Sequence, residues 1–474
     1  MLCYDEIFKY EIFTAEIEKQ IYSGILQEND RLPSVRDIKE KYKLSTSSVQ
    51  SGFEYLMIKG LIRSHPRSGY FVTGIQEENI PEIKTQLPAV VRDEVFMKNM
   101  ILTSKRTSEF SSFNTAVPGD LLIPQKLILR TMQEVIREKG ASLLRYYPSN
   151  GLEPLRKYIA KQMGTYGCIL NPEEIIITDG ALQALTIALK SVTKARDVVA
   201  VESPCVFSVL EVLAHLELKV IEIPVHYKTG FDVEYFQKIC KENKISALIT
   251  TPNFHNPTGV IMNDKTKKEI LSIAEIHQFC IIENDMYSDL YFEEQRPQSI
   301  KSFDKKGIVM TYSSFSKTLA PGIRLGWLHA GSFYAKSERV RFALGRSVSP
   351  IYQELVLKLL QGNSYERHLR VFRKKLNKQA VQVLDILRKS FPEGSYFHRP
   401  RGGYSIWGKL PENTDMKRFY QYCEEHQILF TPGNTFSFTD RYHDHFRIVF
   451  AERITSESIV LLKNAGRRAK ELQS

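Results

Sequence analysis

A lysine preceded by two serines and followed seven residues later by an arginine can hold a phosphate ester beside a nucleophilic amine. The set is Ser314, Ser316, Lys317 and Arg324, in SSFSKTLAPGIRLGW (313–327). A guanidinium grips phosphate with two parallel hydrogen bonds, and serine hydroxyls add donors. An amine attacks carbonyl carbon only when neutral, so Lys317 needs partly desolvated surroundings that lower its pKa. Asp285 closes the apolar run CIIEND (280–285). A carboxylate at the end of a buried strand is costly unless paired. ITDGALQALTIAL (177–189) reads as strand, Gly180, then helix from Ala181. Free amides at such a helix start form a second place for phosphate.

These residues need a large scaffold. The chain has 474 residues, which at roughly 100–200 per domain implies two to four domains. With 43% hydrophobic and 25% charged residues, it reads neither as disordered nor as a membrane channel. No apolar run approaches the ~20 residues of a spanning helix. The N-terminus mixes acids into its apolar positions and reads as no signal peptide, so a cytoplasmic protein is expected. Six cysteines form no CxxC pair and no Cys/His cluster with zinc spacing. Free thiols and no metal are expected. The formal net charge of +11 is compatible with a polyanionic partner.

Charge is unevenly spread. Residues 1–30 carry two Lys/Arg against seven Asp/Glu, whereas residues 31–75 carry eight against three. Within 1–75 the periodicity predicts a first helix with Ile12, Ile17, Ile21 and Ile25 on one face and Phe13 beside them. A second helix starts at Pro33–Ser34 with Val35, Ile38 and Tyr42 inward. A third opens at Ser45–Ser48, buries Val49, Phe53 and Leu56, and stops at Gly60. Two short strands around a turn at 66–69 complete a winged helix-turn-helix. Residues 76–108 read as a linker of about 30 Å if flexible, with room for a short helix at 90–102. From 109 to 474, apolar runs such as EIIIT, DVVAVE, ALITT, CIIEND and GIVMTYSSFS alternate with helical stretches. They predict a mostly parallel α/β sheet covered on both faces, followed by a smaller α+β subdomain.

The segment from Gly24 to Val72, with RLPSVRD and STSSVQSGFEYL, resembles the GntR family of bacterial repressors across residues 10–73. The resemblance implies that Arg31 and Arg36 contact double-stranded DNA. Ser34 would belong to the DNA-binding set, Ser45, Thr46 and Ser47 at the start of the third helix would meet phosphates and base edges, and Gly69 would lie in the wing tip. Thr46 stands where that family usually has arginine, so a different operator is expected.

Residues 109–474 resemble the fold-type-I, aspartate-aminotransferase-like enzymes that bind pyridoxal 5′-phosphate. The resemblance makes Lys317 the Schiff-base lysine and Arg324, Ser314 and Ser316 its phosphate clamp. Asp285 becomes the carboxylate facing the ring nitrogen, and Tyr287 and Asn256 (in NPTG) the donors to O3′. Gly180 and Ala181 become the helix-start phosphate site. Tyr146 would reach the cofactor of a second subunit, which implies a homodimer, and Arg447 would bind a substrate α-carboxylate. Three positions depart from the family. Ala181 and Leu182 stand where relatives carry Ser and Gln, and Val206 replaces a ring-stacking tyrosine, with Phe207 beside it.

A GntR-like head before an aminotransferase-like body resembles the MocR/PdxR group of regulators. That layout implies a transcription regulator whose large domain senses pyridoxal phosphate or an amino compound. An active aminotransferase tethered to a DNA reader is the alternative, and a scaffold without cofactor is a third reading. Binding of the full chain to duplex DNA from its own promoter region should weaken steeply with salt as counterions are released. Arg36→Ala should cost ~1–3 kcal/mol if that side chain reads a base. Equal loss on all sequences in a mobility-shift titration would restrict it to phosphate.

Overall fold

The computed structural model describes residues 11–65, 68–73, 111–227, 230–293, 295–439 and 441–473. The chain divides into two compact units, residues 1–79 and 80–474. The expected linker (76–108), its helix at 90–102 and Pro66 of the wing turn lie outside the described residues.

In the small unit, helices α1 (Glu11–Tyr22), α2 (Val35–Tyr42) and α3 (Thr46–Ile58) precede strands β1 (Ile62–His65) and β2 (Gly69–Val72). The strands pair antiparallel, Ile62 opposite Val72 and His65 opposite Gly69. Ser34 caps α2 in a reciprocal capping box with Asp37, and Ser45 caps α3. Phe13, Ile17, Ile21, Ile38, Val49, Phe53 and Leu56 form the core. Ile12 and Ile25, expected on the buried stripe, are exposed. A four-residue step keeps Phe13, Ile17 and Ile21 on one face. Ile12 lies about 100° around from Phe13, and Ile25 falls after the helix has ended at Tyr22.

The large unit opens with β3 (Ser111–Ser112). Its main sheet contains β4 (Ile175–Thr178), β5 (Val198–Ser203), β6 (Lys219–His226), β7 (Gly230–Phe231), β8 (Ala247–Thr250), β9 (Cys280–Asn284), β10 (Val309–Ser314) and β11 (Gly326–His329). Their order is β4-β11-β10-β9-β8-β5-β6-β7. The run from β10 to β6 is parallel. The β11 and β7 pairings are antiparallel. Alternate residues enter two separate cores. Val199, Val201, Ile282 and Met310 pack on one face, and Ala200, Leu248, Ile281 and Val309 on the other. Both faces are therefore dry, which explains the continuous apolar runs. The sequence reading names neither β6 nor β11. Glu222 and Pro224 break the apolar run of β6, and β11 (GWLH) has only two apolar residues, between a glycine and a histidine.

The C-terminal subdomain has a four-stranded sheet. Its order is β12 (Tyr396–Phe397), β13 (Ser405–Lys409), β16 (His445–Val449), β15 (Thr431–Pro432). Helices Ser364–Ser390, Met416–Glu425 and Ser456–Glu471 accompany it. The remaining strand, β14 (Ile428–Leu429), pairs in parallel with β3, so the first described residues of the large unit belong to this subdomain. Among the described residues, no helix is long and apolar enough to cross a membrane. The five described cysteines, 168, 205, 240, 280 and 423, are buried free thiols.

Gly52 is where α3 meets α1. A Cβ there would overlap the Phe13 ring, and overpacking a filled core costs typically ~1–3 kcal/mol. Gly52→Val should lower the unfolding temperature of the head, followed by circular dichroism, and weaken DNA binding while leaving the large unit folded.

Candidate functional site

The parallel strands of the main sheet point their carboxyl ends toward one cavity, the usual ligand position in open α/β sheets. Lys317, Asn256, Asn284, Tyr287, Phe207 and Arg447 line it. Lys317 follows β10, and its amine donates to the Ala116 carbonyl, while Tyr404 donates its hydroxyl to the Lys317 carbonyl. Burial lowers the Lys317 pKa to about 8, helped by the positive charges of Arg447 and Arg324. Asn256 donates to the Tyr287 hydroxyl at 3.3 Å, so the two groups expected around one oxygen do meet.

Arg447, on β16, is 1% exposed. It donates to Asn256 Oδ1 at 3.0 Å, to Thr431 Oγ1 at 3.1 Å and to the Asn114 carbonyl. Its guanidinium lies 5.0 Å from the Phe436 ring centroid. No carboxylate pairs with it among the described residues, and its Nε has no hydrogen-bond partner. Burial accordingly lowers its pKa to about 10. A buried cation held by neutral groups is a receptor for an incoming anion.

Gly180 precedes the helix Ala181–Val192 with φ +82° and no side-chain cap, leaving the first amides of that helix without a side-chain acceptor. A Cβ on Gly180 would stand 2.9 Å from Arg324 Nη2, so only glycine lets the guanidinium lie against this turn. Arg324 also donates to the Asp179 carbonyl at 3.2 Å. Ser314 and Ser316 are buried and bonded to each other at 2.9 Å. Ala181 and Leu182 line the cavity and offer no hydroxyl or amide side chain.

Asp285 lies elsewhere. One carboxylate oxygen accepts from Ser288 at 2.5 Å and the other pairs with Arg296. Arg296 also bonds Asp289 at 2.8 Å. Burial pushes the Asp285 carboxyl up, and the Arg296 guanidinium pulls against it. The side chain belongs to a separate void with Met163, Tyr166 and Arg296, and Asn284 takes the place expected for it at the cavity. The reason is strand phase. Neighbouring residues of an extended strand face opposite sides. The Asp285 N–H still bonds the Tyr312 carbonyl at 2.9 Å, so the alternation runs one residue past β9. Sequence reasoning also missed Arg296, and Asn114 and Ala116, which supply carbonyls from just after β3.

Tyr146 is 73% exposed, beneath the Arg346 guanidinium at 4.8 Å, and it does not line the cavity. In the small unit, Arg31, Ser34, Arg36, Ser45, Thr46, Ser47 and Gly69 are all exposed. A Cβ on Gly69 would stand 3.7 Å from Arg31 Nε, so the first arginine and the wing are neighbours. Arg36 pairs with Glu40 at 3.1 Å on a solvated surface. Ser34 and Ser45 already use their hydroxyls as helix caps, and Ser45 also bonds Ser47 at 2.9 Å.

Residues 118–462 match the family model for aminotransferase class I and II, and residues 9–72 match bacterial regulatory proteins of the gntR family. The chain belongs to the class I and II aminotransferase family and carries a gntR-type head, the layout of the MocR/PdxR group. It is 32% identical to the uncharacterized HTH-type transcriptional regulator YjiR of Escherichia coli, over 97% of this chain and 98% of YjiR. It is 27% identical to the HTH-type transcriptional regulator NorG of Staphylococcus aureus, over 85% of this chain and 92% of NorG. The α-aminoadipate aminotransferase LysN of Thermus thermophilus, solved with N-(5′-phosphopyridoxyl)-L-leucine, superposes with a TM-score of 0.72 at 25% identity. That match covers 80% of this chain and 97% of LysN.

A lysine near its ordinary value would be almost wholly protonated at neutral pH. Capture of pyridoxal phosphate by the apo protein, trapped with borohydride at Lys317, should accelerate as pH rises toward about 8 and then level off. A rate still climbing at pH 10 would show an ordinary, solvated amine.

Proposed function

We propose that this protein is a DNA-binding transcription regulator whose large unit holds pyridoxal phosphate and reads an amino compound through it. The observation that carries this reading is the pairing, in one cavity, of a low-pKa amine with a buried arginine that has no carboxylate partner among the described residues. An amine-reactive cofactor and a carboxylate-bearing amine are the two ligands that such a pair accepts together.

The residues present fit the cofactor at three of its ends. Lys317 would meet the aldehyde carbon. Arg324, the Gly180 turn, the helix amides from Ala181 and the buried serines would hold the phosphate, with backbone donors doing what Ser and Gln side chains do in relatives. Tyr287 and Asn256 would hold O3′. Pyridoxal phosphate supplies an aldehyde that condenses with amines and a ring that can accept electrons. The Lys317 amine gives up its proton readily because it is desolvated. Arg447 orients an incoming amino acid by its carboxylate and places the amino group toward Lys317. Phe207 lies beside Arg447, 5.9 Å from the guanidinium to the ring centroid, and closes the apolar side of the cavity.

The body acts as a homodimer in this reading, because Tyr146 is exposed and does not line the Lys317 cavity of its own chain, and would complete that of a second copy. The head binds duplex DNA through Arg31, Arg36, the start of α3 and the wing. An effector changes DNA binding only if it favours one arrangement of the body over another. Footprints should therefore differ between apo protein, cofactor-loaded protein and loaded protein with an amino acid panel. Lys317→Ala should abolish the difference while still binding DNA. Identical footprints in all three states would reject sensing, and turnover of an added amino acid would favour the tethered aminotransferase.

A further inference from the structure

The fourth end of the cofactor, its ring nitrogen, is the one for which the cavity provides no partner of the expected kind. Lys317 and Arg447 are its charged lining residues, and no Asp or Glu lines it among the described residues. The ring nitrogen is para to the carbon that carries the aldehyde, so it lies on the side of the ring remote from Lys317. It falls between the phosphate-bearing edge and the O3′ edge. Of the polar groups in the cavity, Asn256 and Tyr287 are occupied with each other, and Arg447 is held by Asn114, Thr431 and Asn256. Asn284 comes from the carboxyl end of the central strand β9 and is 4% exposed. Its Oδ1 accepts from the Met286 N–H at 3.1 Å. This fixes the amide orientation and leaves its NH2 group to face the cavity.

We propose that Asn284 is the residue this chain presents to the ring nitrogen, and that it keeps that nitrogen unprotonated by donating a hydrogen bond to its lone pair. The proposal rests on the cofactor reading above. An amide N–H satisfies a neutral pyridine nitrogen and cannot balance a pyridinium, whereas a carboxylate stabilises the protonated ring. Asp285 cannot substitute. Both of its oxygens are engaged, one by Ser288 and one by Arg296, and removing a partner from a buried ion pair is strongly destabilising.

The consequence separates two reactions. In amine exchange, the nitrogen of the incoming neutral amine bonds to the aldehyde carbon while the bond to Lys317 Nζ breaks. Both N–H hydrogens of that amine pass to Nζ, which is left as a free NH2 group, and no electrons enter the ring. In α-proton removal, the electron pair of the broken C–H bond must be accepted by the ring, and an unprotonated ring accepts it poorly. Asn284 thus permits exchange and retards turnover, making the site a reversible reader of amines.

The test uses full-length protein loaded with pyridoxal phosphate carrying 15N at the ring nitrogen. The wild-type resonance should fall at the position of a neutral pyridine across pH 6–9. Asn284→Asp should move it to the pyridinium position. It should also raise the rate at which an L-amino acid converts the bound cofactor to its amine form, by at least about tenfold, the equivalent of one pKa unit. Asp285→Asn should lower the unfolding temperature and leave the resonance where it is in wild type. A pyridinium resonance in the wild-type protein overturns the proposal even if no variant folds. So does a resonance that moves with Asp285→Asn and not with Asn284→Asp. Absence of any borohydride-trappable cofactor on Lys317 would instead remove the cofactor reading itself, and this proposal with it.

Discussion

Two cations share one cavity that no carboxylate lines among the described residues, and much of the large unit is arranged around that fact. Removing a charged side chain from water costs several kcal/mol unless other groups replace the lost hydration. For Arg447 the replacements are two carbonyl-type acceptors, one hydroxyl and an aromatic face. For Lys317 there is the Ala116 carbonyl, and the rest of the cost appears as an amine that readily loses its proton. The groups that hold the two cations come from β16, β15, the NPTG turn, the end of β10 and the segment after β3. The smaller subdomain therefore has to sit over the carboxyl ends of the main sheet for the cavity to exist.

The buried carboxylates near the site obey the opposite rule, since each has its own donors. Glu283 accepts from two backbone amides at 2.7 and 3.1 Å and from Thr311 at 3.1 Å. Glu202 accepts from Thr250 and the Thr251 amide, both at 2.7 Å. Asp285 has Ser288 and Arg296. Among the described residues none lines the cavity to counter Lys317 or Arg447. The same contrast runs through the head, where Arg36 is paired on a solvated surface and carries little net stability.

Much of this was legible in the residues. Local patterns located the three helices and the hairpin of the head, because caps and glycines punctuate them and the core repeats every four residues. Ser314, Ser316, Lys317 and Arg324 stood out because their spacing concentrates phosphate-binding groups in eleven residues. Asp285 is the expected site residue whose side chain the structure places outside the cavity. A carboxylate beside an apolar run draws attention, whereas the amide one residue earlier looks like an ordinary strand end. Choosing between them needs the phase of the strand, and phase depends on which face the neighbouring strands present. Ile12 failed for the same reason in a helix, one position off the stripe. Arg296 could not be found from sequence, since it reaches Asp285 from a loop eleven residues downstream without periodicity to mark it.

The segment that follows β3 carries a mechanical implication. Residues 111–117 are pinned at one end by pairing with β14 and by the Phe113 bonds to Leu429 and Val449, at 3.0 and 2.7 Å. A few residues on, Asn114 and Ala116 offer their carbonyls to Arg447 and Lys317. This strap is also the first described stretch of the large unit. Its grip on the body thus includes hydrogen bonds to the two side chains whose protons and partners a ligand would alter. A ligand that takes up Lys317 or recruits Arg447 would compete for bonds that hold this strap to the body. The lining of the cavity and the fastening of the strap are then the same set of bonds.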